Sequence, residues 1–238
     1  MLTLASDRFL VFGHRGASAH APENTVAAFQ LAAEQEADGV ELDVRRTADG
    51  ALVVHHDATF PGLGPIVDHT EAELRRHAPS LATFPEAMAA CEGLIVNIEI
   101  KNSPLDPDFD PDDTVAAAVV AWVDDSGWTD RVVISSFNAA TVDFVRRSSG
   151  TMATGQLIDA GGDAVRQLLA ANQRGHQALH PHITSLIDTQ ELAAIANGLD
   201  MWLLAWTVDD PDTIRSLRDA GITGVITNDP ARAVAALA

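Results

Sequence analysis

The sequence predicts a parallel (β/α)8 barrel, the TIM-barrel fold. Short runs of β-branched and apolar residues alternate with amphipathic helical segments along nearly the whole chain, which is typical of βα units around a parallel sheet. Eight such units fit into 238 residues, close to the length of about 250 residues that is usual for this barrel. A doubly wound sheet is the alternative, but its Gly-rich dinucleotide-binding turn is absent from the sequence, since Gly161 and Gly162 form an isolated pair.

Eight segments are predicted as the barrel strands because each is short and rich in Val, Ile, Leu or Phe. Their charged and polar residues fall near their carboxyl ends, where the active site of such a barrel lies. The predicted strands are residues 9–14, 39–45, 94–101, 131–137, 153–158, 177–182, 202–208 and 224–227.

The segments between the strands carry Ala, Leu or Val at helical spacing. Asn24, Asp163, Asp188 and the Asp210-Pro211 pair stand where they can cap the first turn of a helix. The predicted helices are residues 25–36, 84–91, 113–124, 139–147, 164–171, 189–196 and 212–220.

A hairpin follows the second predicted strand in place of a helix. Asp49-Gly50 between two extended runs is the strongest short-range hairpin signal. With these two residues as the loop, Asp43 lies opposite His56, with Cβ atoms about 4.5–5.5 Å apart. Residues 58–80 are rich in glycine and proline and contain one short helical segment, 70–76. The sequence therefore predicts one catalytic barrel domain over residues 1–238, with an insertion at about residues 48–82.

The net charge of −19 restricts the partners of this protein. Such a surface repels nucleic acid and anionic membranes, so neither is an expected partner. A phosphate-bearing substrate is compatible with this charge only where cations are concentrated at one point. Phosphate chemistry would therefore require a bound metal ion together with local Arg or Lys.

The composition also indicates where the protein works. No stretch approaches the 18–20 or so apolar residues that span a bilayer. Residues 1–10 carry Asp7 and Arg8 and lack the pattern of a secretory leader, which predicts a cytoplasmic protein. The single cysteine, Cys91, cannot form an internal disulfide and fits a reducing compartment.

Two predicted strands carry ionisable residues at alternate positions. Glu41 and Asp43 in one strand, and Glu99 and Lys101 in the next, are each spaced by two residues and so point to the same side of their strand. Their neighbours are apolar, which indicates that both faces of each strand are buried. Buried carboxylates need a partner, so these residues mark a site.

A divalent cation explains this arrangement. Glu41, Asp43 and Glu99 would repel one another or take up protons unless compensated. Oxygen ligands of this kind suit Mg²⁺ or Ca²⁺. With such an ion, and with Arg15 and Lys101 nearby, the site carries a net charge of +1, which suits a singly charged phosphodiester.

The motifs of the chain resemble those of the glycerophosphodiester phosphodiesterase family. The similarity is dense over roughly the first hundred residues and looser beyond them. The motifs that carry it are His14-Arg15-Gly16, Pro22-Glu23-Asn24-Thr25, Glu41-Leu42-Asp43, the run from Thr47 to His56-Asp57, Glu99-Ile100-Lys101, Ser135-Ser136-Phe137, Trp206-Thr207-Val208 and residues 226–230.

The resemblance implies a TIM barrel with a small insertion after the second strand. It implies hydrolysis of glycerophosphodiesters to glycerol 3-phosphate and an alcohol, a reaction of lipid metabolism. It also implies a divalent metal held by the residues that match the family ligands, Glu41, Asp43 and Glu99.

The same resemblance implies that His14 and His56 are the general acid and base. Arg15 and Lys101 would bind the phosphate. Trp206 stands at a strand end, where it either packs in the core or forms a wall of the glycerol pocket. The attacking nucleophile is either water or a neighbouring glycerol hydroxyl, and the sequence leaves both routes open, as it does the native metal.

Two other functions compete with this interpretation. A lysophospholipase D would need an apolar groove, which Phe60, Leu63 and Ile66 of the insertion could line. A non-catalytic barrel that binds a phosphorylated ligand would not require the complete set of histidines and carboxylates that is present. The alcohol headgroup, the oligomeric state and the roles of His180 and His182 stay open.

Overall fold

The structure is a computed structural model that describes residue 2 and residues 8–238. Most of the segment on which the prediction of a missing leader depends, residues 1–10, therefore lies outside the described residues. No helix in the described part of the chain is long and apolar enough to cross a membrane.

The strands alternate with helices as the sequence predicts. The strands are β1 (Leu10–Gly13), β2 (Gly39–Arg46), β3 (Leu52–Val54), β4 (Thr59–Phe60), β5 (Gly64–Pro65), β6 (Ile95–Ile100), β7 (Val132–Ser136), β8 (Ala153–Ile158), β9 (Ala178–Pro181), β10 (Trp202–Ala205) and β11 (Gly224–Thr227). The helices are α1 (Val26–Glu34), α2 (Glu71–His77), α3 (Phe84–Ala90), α4 (Thr114–Ser126), α5 (Ala139–Ser148), α6 (Ala164–Gln173), α7 (Thr189–Gly198), α8 (Pro211–Asp219) and α9 (Pro230–Leu237), with short 3₁₀ helices at Ile66–Asp68 and Ile183–Ser185.

Eight parallel strands close into a barrel, which confirms the predicted fold. The strand order is β1-β11-β10-β9-β8-β7-β6-β2, and β1 pairs with β2 to complete the ring. Closure pairs Phe12 with Gly39 on one side of β1 and with Ile226 on the other. All carboxyl ends therefore meet at one mouth, where the first and last segments of the chain become neighbours.

The barrel separates two apolar regions. The outward-facing residues of the strands pack against the helices, as where Val40 and Leu42 of β2 share a cluster with Phe29 and Phe84. The interior holds a smaller cluster whose members include Phe12. Gly39 leaves room for that ring, because a Cβ at Gly39 would lie 2.5 Å from Phe12 Cε1. The interior beneath the mouth is therefore filled with side chains.

Helix capping follows the sequence closely, with one exception. Asp163, Asp188 and Asp210 cap α6, α7 and α8 through their side chains, as predicted. At α1 the cap is Thr25 and not Asn24, since the Thr25 hydroxyl accepts the Ala28 N–H. Asn24 adopts a left-handed backbone conformation with φ of 57°. Its side chain bonds to Asp43 instead of capping the helix.

The register of the predicted hairpin is wrong by one residue. Val44 pairs with Val54, and the His55 N–H donates to the Asp43 carbonyl, so Asp43 lies opposite His55 and not His56. The loop has three residues rather than two. The Gly50 N–H donates to the Thr47 carbonyl and closes a turn, and Gly50 itself adopts a φ of 83°. Asp-Gly is compatible with this three-residue geometry as well as with the two-residue one.

The insertion forms a small core of its own. Ile66 and Leu74 are fully buried, and Phe60 and Leu63 pack against the same cluster. These apolar side chains bury one another because the insertion has little other surface with which to cover them. This packing does not favour the apolar groove that Phe60, Leu63 and Ile66 could line in a lysophospholipase D.

Candidate active site

Three buried carboxylates meet at the barrel mouth. Glu41 and Asp43 come from β2 and Glu99 comes from β6, where Asp43 and Glu99 are paired in register. A ligand oxygen from each lies within 4.8 Å of the other two. All three residues are buried. Strand alternation thus brings together the carboxylates that the sequence singled out.

The carboxylate oxygens fit a hard divalent cation. Glu41 Oε1 and Asp43 Oδ1 are buried and have no hydrogen-bond partner among the residues that the structure describes. Buried polar oxygens are nearly always bonded. Among the described residues, Glu41 Oε1 has no such bond, and Asp43 Oδ1 has only the ion pair with Lys101 at 3.3 Å, so both oxygens can take a further partner. Mg²⁺ and Ca²⁺ are the ions that such an oxygen donor set suits.

The pKa values of the carboxyl groups reflect this crowding. Burial raises the pKa of Glu41 well above its ordinary value, and the charges of Asp43 and Glu99 raise it further. Burial likewise raises the pKa of Glu99 to about 7, although Lys101 opposes the shift. Burial acts in the same direction on Asp43, but Lys101 and Arg15 outweigh it and hold its pKa at about 2.

Two cations border the carboxylates. Lys101 Nζ lies 2.7 Å from Glu99 Oε1 and 3.3 Å from Asp43 Oδ1. Arg15 Nε lies 3.4 Å from Asp43 Oδ2, and the Arg15 backbone N–H donates to Glu41 Oε2 at 2.9 Å. Two cations are therefore placed at this one point of an acidic protein, and with a divalent ion the site would become net positive, as phosphate binding would require.

Asn24 supports the site, a role that the sequence analysis missed. Its Nδ2 donates to Asp43 Oδ2 at 2.8 Å, and its Oδ1 accepts the Asp43 backbone N–H at 3.3 Å. These two bonds orient the Asp43 carboxylate. The signal was present, because Asn tolerates the left-handed conformation better than most residues, but only the fold shows what that conformation does.

His14 follows β1 and is held by residues from the other end of the chain. Its Nδ1 lies 2.7 Å from Asn228 Oδ1. The Asn228 amide in turn donates to Asp209 Oδ2 at 2.7 Å. Burial and the adjacent charge of Arg15 lower the pKa of His14. Its Nε2 is the ring nitrogen that remains available to the cavity.

His56 reaches the mouth by a different route from the one predicted. The chain leaves the hairpin after Val54, and Arg45 then binds the His56 carbonyl through Nε and Nη2 at 2.9 and 2.7 Å. His56 Nδ1 lies 2.7 Å from Asp57 Oδ1. Burial lowers the pKa of His56, and the charge of Asp43 and the bond to Asp57 oppose this shift.

Arg45 is held by an acidic loop. No role for this residue follows from the sequence, yet its guanidinium is buried and pairs with Asp106 and with both oxygens of Asp108. The loop after β6 is thereby attached to the loop that carries His56. Three aspartates of this loop are thus bound internally, since Asp110 also accepts the Thr114 N–H at the start of α4.

A cavity of about 240 Å³ opens among these groups. Trp206 forms part of its wall, and its Nε1 donates to the His180 carbonyl at 2.9 Å. Other predicted site residues on its lining are His14, Arg15, Glu41, His56, Glu99 and Lys101. A second cavity of about 280 Å³ adjoins it and shares His56 and Lys101 with it.

His180 and His182 have different surroundings. His180 is fully buried inside the barrel, with Nδ1 3.5 Å from Asn97 Nδ2. His182 stacks edge to face with Trp206, with 4.8 Å between the ring centroids. Only His182 is therefore near the mouth.

The profile of the glycerophosphoryl diester phosphodiesterase family matches residues 14–232 of this chain. The chain belongs to this family. The match covers every strand of the barrel except β1, and it confirms the resemblance that the motifs carry. The family is one of hydrolases.

Individual members of the family are similar over nearly their whole length. A glycerophosphodiester phosphodiesterase of Caldanaerobacter subterraneus subsp. tengcongensis is 32% identical, over 93% of this chain and 94% of its own. A probable glycerophosphodiester phosphodiesterase 1 of Mycobacterium tuberculosis is 30% identical, over 96% of this chain and 92% of its own.

Solved structures of the family share the fold. The crystal structure of a glycerophosphodiester phosphodiesterase from Thermotoga maritima has a TM-score of 0.79 and 29% identity, over 96% of this chain and 98% of its own. A phosphodiesterase from Oleispira antarctica, solved in complex with the product sn-glycerol-3-phosphate, has a TM-score of 0.84 and 25% identity, over 96% of both chains.

Proposed function

We propose that this protein hydrolyses glycerophosphodiesters to glycerol 3-phosphate and an alcohol. The observation that carries the proposal is the arrangement of three buried carboxylates, two cations and two histidines around one cavity. Family membership supports the same reaction, as does the product bound in the Oleispira relative. We further propose that the chain acts as one catalytic barrel domain.

Glu41, Asp43 and Glu99 would hold a divalent metal ion, Mg²⁺ or Ca²⁺. Glu41 Oε1, which has no hydrogen-bond partner among the described residues, supports this assignment, as does Asp43 Oδ1, which is ion-paired with Lys101 but accepts no hydrogen bond there. The ion would supply positive charge that stabilises negative charge developing on the phosphoryl oxygens.

Arg15 and Lys101 would bind the phosphate. Both stand at the cavity within ion-pair distance of Asp43. The Asp43 and Glu99 charges raise the pKa of Lys101 above its ordinary value against the effect of burial, so its ammonium persists at neutral pH. Two fixed cations would also orient the phosphodiester for in-line attack.

The two histidines would exchange protons with the substrate. His14 is bonded to a neutral amide, and we assign it as the base that accepts the proton of the nucleophile at Nε2. Burial lowers the pKa of His56, but its bond to the Asp57 carboxylate opposes that shift and favours a proton on the ring, which the neutral amide beside His14 favours less. We therefore assign His56 as the acid that protonates the departing alkoxide. The nucleophile is water or the neighbouring glycerol hydroxyl.

The two cavities match a substrate with two halves. The cavity walled by Trp206 would take the glycerol, and the adjoining one would take the alcohol. The lysophospholipase D alternative is less well supported, because Phe60, Leu63 and Ile66 pack into the core of the insertion. We place the reaction in lipid metabolism, since glycerophosphodiesters are deacylated phospholipids.

We also propose a cytoplasmic location and a small-molecule substrate without nucleic-acid or stable membrane partners. The net charge of −19 supports the absence of polyanionic partners. The single cysteine, free and buried, is compatible with a reducing compartment.

The decisive experiment measures release of the alcohol headgroup, together with glycerol 3-phosphate or lysophosphatidic acid, by metal-stripped protein with and without Mg²⁺ or Ca²⁺. Glycerophosphocholine, glycerophosphoethanolamine and glycerophosphoglycerol are compared with lysophosphatidylcholine. We expect turnover of the glycerophosphodiesters only with metal. Turnover of lysophosphatidylcholine alone would favour the lysophospholipase D, and no turnover of any substrate with either metal would favour a binding protein.

A further inference from the structure

A hydrogen-bonded chain of side chains connects Asp209 with His14. Asp209 lies between β10 and α8, Asn228 directly follows β11, and His14 directly follows β1. Asp209 Oδ2 accepts from Asn228 Nδ2 at 2.7 Å, and Asn228 Oδ1 lies 2.7 Å from His14 Nδ1. Barrel closure alone brings these groups together, since His14 and Asn228 are 214 residues apart.

The direction of each bond in this chain follows from donors and acceptors. The Asp209 carboxylate is an acceptor, and besides the Asn228 amide it accepts the Asn228 backbone N–H and the Thr227 hydroxyl, both at 2.8 Å on Oδ1. The Asn228 NH₂ group must therefore face Asp209, which turns its Oδ1 toward His14. The Ser18 hydroxyl also donates to that oxygen, at 3.0 Å.

We propose that Asp209 is a positioning residue that sets the tautomer of His14. Asn228 Oδ1 can only accept, so a neutral His14 ring must carry its proton on Nδ1 and leave Nε2 bare in the cavity. Asp209 touches neither the cavity nor the ring and acts wholly through Asn228. The catalytic consequence rests on the proposed function, in which His14 Nε2 accepts a proton.

A single substitution should turn the Asn228 amide over and move the ring proton of His14. In Asp209→Asn, the new amide must keep its oxygen toward the Thr227 hydroxyl and the Asn228 backbone N–H, which are both donors. Its NH₂ group then faces the Asn228 NH₂ group, and Asn228 relieves this clash by turning its amide over. His14 Nδ1 would then accept a proton from Asn228, and the ring proton would move to Nε2.

A second substitution should return the ring proton of His14 to Nδ1. In the exchanged pair Asp209→Asn/Asn228→Asp, the NH₂ group introduced at position 209 donates to one oxygen of the new carboxylate, and the other oxygen accepts from His14 Nδ1. The proton returns to Nδ1 and Nε2 is bare again. If Asp209 only held the loop in place, no such rescue would be expected. Neither substitution shortens a side chain, so a loss of packing does not explain the effect of either.

Asp210→Asn is the matched control. Asp210 is the next residue along the chain, and its carboxylate caps α8 by accepting the Thr213 N–H at 2.8 Å. Asn caps helices as well as Asp does. This variant removes the same charge from the same loop, and it should leave both the tautomer and the activity unchanged.

The experiment records long-range ¹H–¹⁵N spectra of the histidine rings at pH 8, with His14 assigned from the His14→Gln spectrum. We expect protonated Nδ1 in the wild type, in the exchanged pair and in Asp210→Asn, and protonated Nε2 in Asp209→Asn. In parallel, kcat on glycerophosphocholine should fall roughly 10²- to 10⁴-fold in Asp209→Asn with little change in KM, and should recover at least tenfold in the exchanged pair.

The outcomes separate the two proposals. A wild-type ring protonated at Nε2, or an Asp209→Asn ring that keeps its proton on Nδ1, would overturn the inference. The wild-type spectrum alone can overturn the inference, and the Asp209→Asn spectrum tests the part that Asp209 plays. Absent hydrolysis of every glycerophosphodiester by the wild type, with the tautomers as expected, would overturn the proposed function and leave the assignment of the tautomer standing.

Discussion

The barrel interior contains two sets of buried polar residues that differ in charge. The carboxylate set comprises Glu41, Asp43 and Glu99 at the mouth. The neutral set comprises Asn97, Ser135 and His180, of which Asn97 and His180 approach to 3.5 Å across the barrel. Each set includes buried polar atoms without a hydrogen-bond partner in the described part of the chain.

The two sets carry different free-energy costs. A neutral polar atom without a partner costs about 1–3 kcal/mol, and an ordered water molecule can satisfy it. A buried charge costs several kcal/mol, and only another charge compensates it. If the carboxylate set binds an ion as proposed, we expect it to reduce the stability of the protein without metal. The neutral set mainly fills the barrel interior.

The substitution with the largest expected effect is Glu41→Gln. We expect kcat/KM with Mg²⁺ to fall by roughly 10³-fold or more, about 4 kcal/mol of barrier. The pKa of Glu41 is raised above 4.5 in the folded protein, so the carboxylate costs stability once the pH rises above that value. Metal-free Glu41→Gln should thus be at least as stable as the wild type in urea at pH 8.

Glu34→Gln, at an exposed position of α1, is the control for that measurement. It removes one glutamate from the surface and should change neither activity nor stability. A Glu41→Gln protein that unfolds at a clearly lower urea concentration than the wild type in EDTA would contradict the idea that the carboxylate set costs stability.

The histidines at the mouth are expected to matter next most. His14→Ala and His56→Ala should each lower kcat by roughly 10²- to 10³-fold with little change in stability, because each removes a proton-transfer group. His55→Ala is the neighbouring control, since His55 stacks on Phe60 with ring centroids 4.6 Å apart. Near-native turnover of either His14→Ala or His56→Ala in saturating metal would refute the two-histidine scheme.

The acidic side of the wild-type pH profile tests His14 as the base. Because burial lowers the pKa of His14 below 6.5, the neutral base persists down to that pH. We expect the fall of kcat/KM on the acidic side of the profile, which reports protonation of His14, to set in only below pH 6.5.

Arg45 tests a buried charge whose partners are all protein groups. Its side chain is 2% exposed and bonds to Asp106, Asp108 and the His56 carbonyl. Arg45→Met should lower the free energy of unfolding by about 3 kcal/mol, since Asp108 then stays buried without its partner. Urea unfolding measures this loss. Arg46→Met, one residue along β2, should cost clearly less, and equal losses would show that the ion pair has no special weight.

The smallest effect is expected from His180, in the neutral set. Burial lowers its pKa to about 3, from 6.5 in the unfolded chain. Between these values only the unfolded chain takes up the proton, so stability present above pH 6.5 decreases as the pH falls, by about 1.4 kcal/mol per pH unit. His180→Asn should remove one proton from the slope of unfolding free energy against pH between 5 and 6.5. An unchanged slope would place His180 in contact with solvent.

The barrel interior around His180 contains a contact that local sequence does not predict. Gly155 is required there, because a Cβ at that position would lie 2.7 Å from His180 Nε2. The sequence shows a glycine in a strand but not the ring, on the neighbouring strand, that makes the glycine necessary. Contacts of this kind depend on which residues face one another across the closed barrel.

The sequence by itself determined the eight βα units, the aspartate caps of α6, α7 and α8, the paired carboxylates and the family. These depend on residue type and on periods of two or 3.6 residues, which act over a few positions. Only the tertiary structure decided the register of the hairpin, the route of His56 through Arg45, and the connection of Asp209 and Asn228 to His14. Each depends on turn geometry or on barrel closure. These bring together residues that no repeat of two or 3.6 positions in the sequence relates.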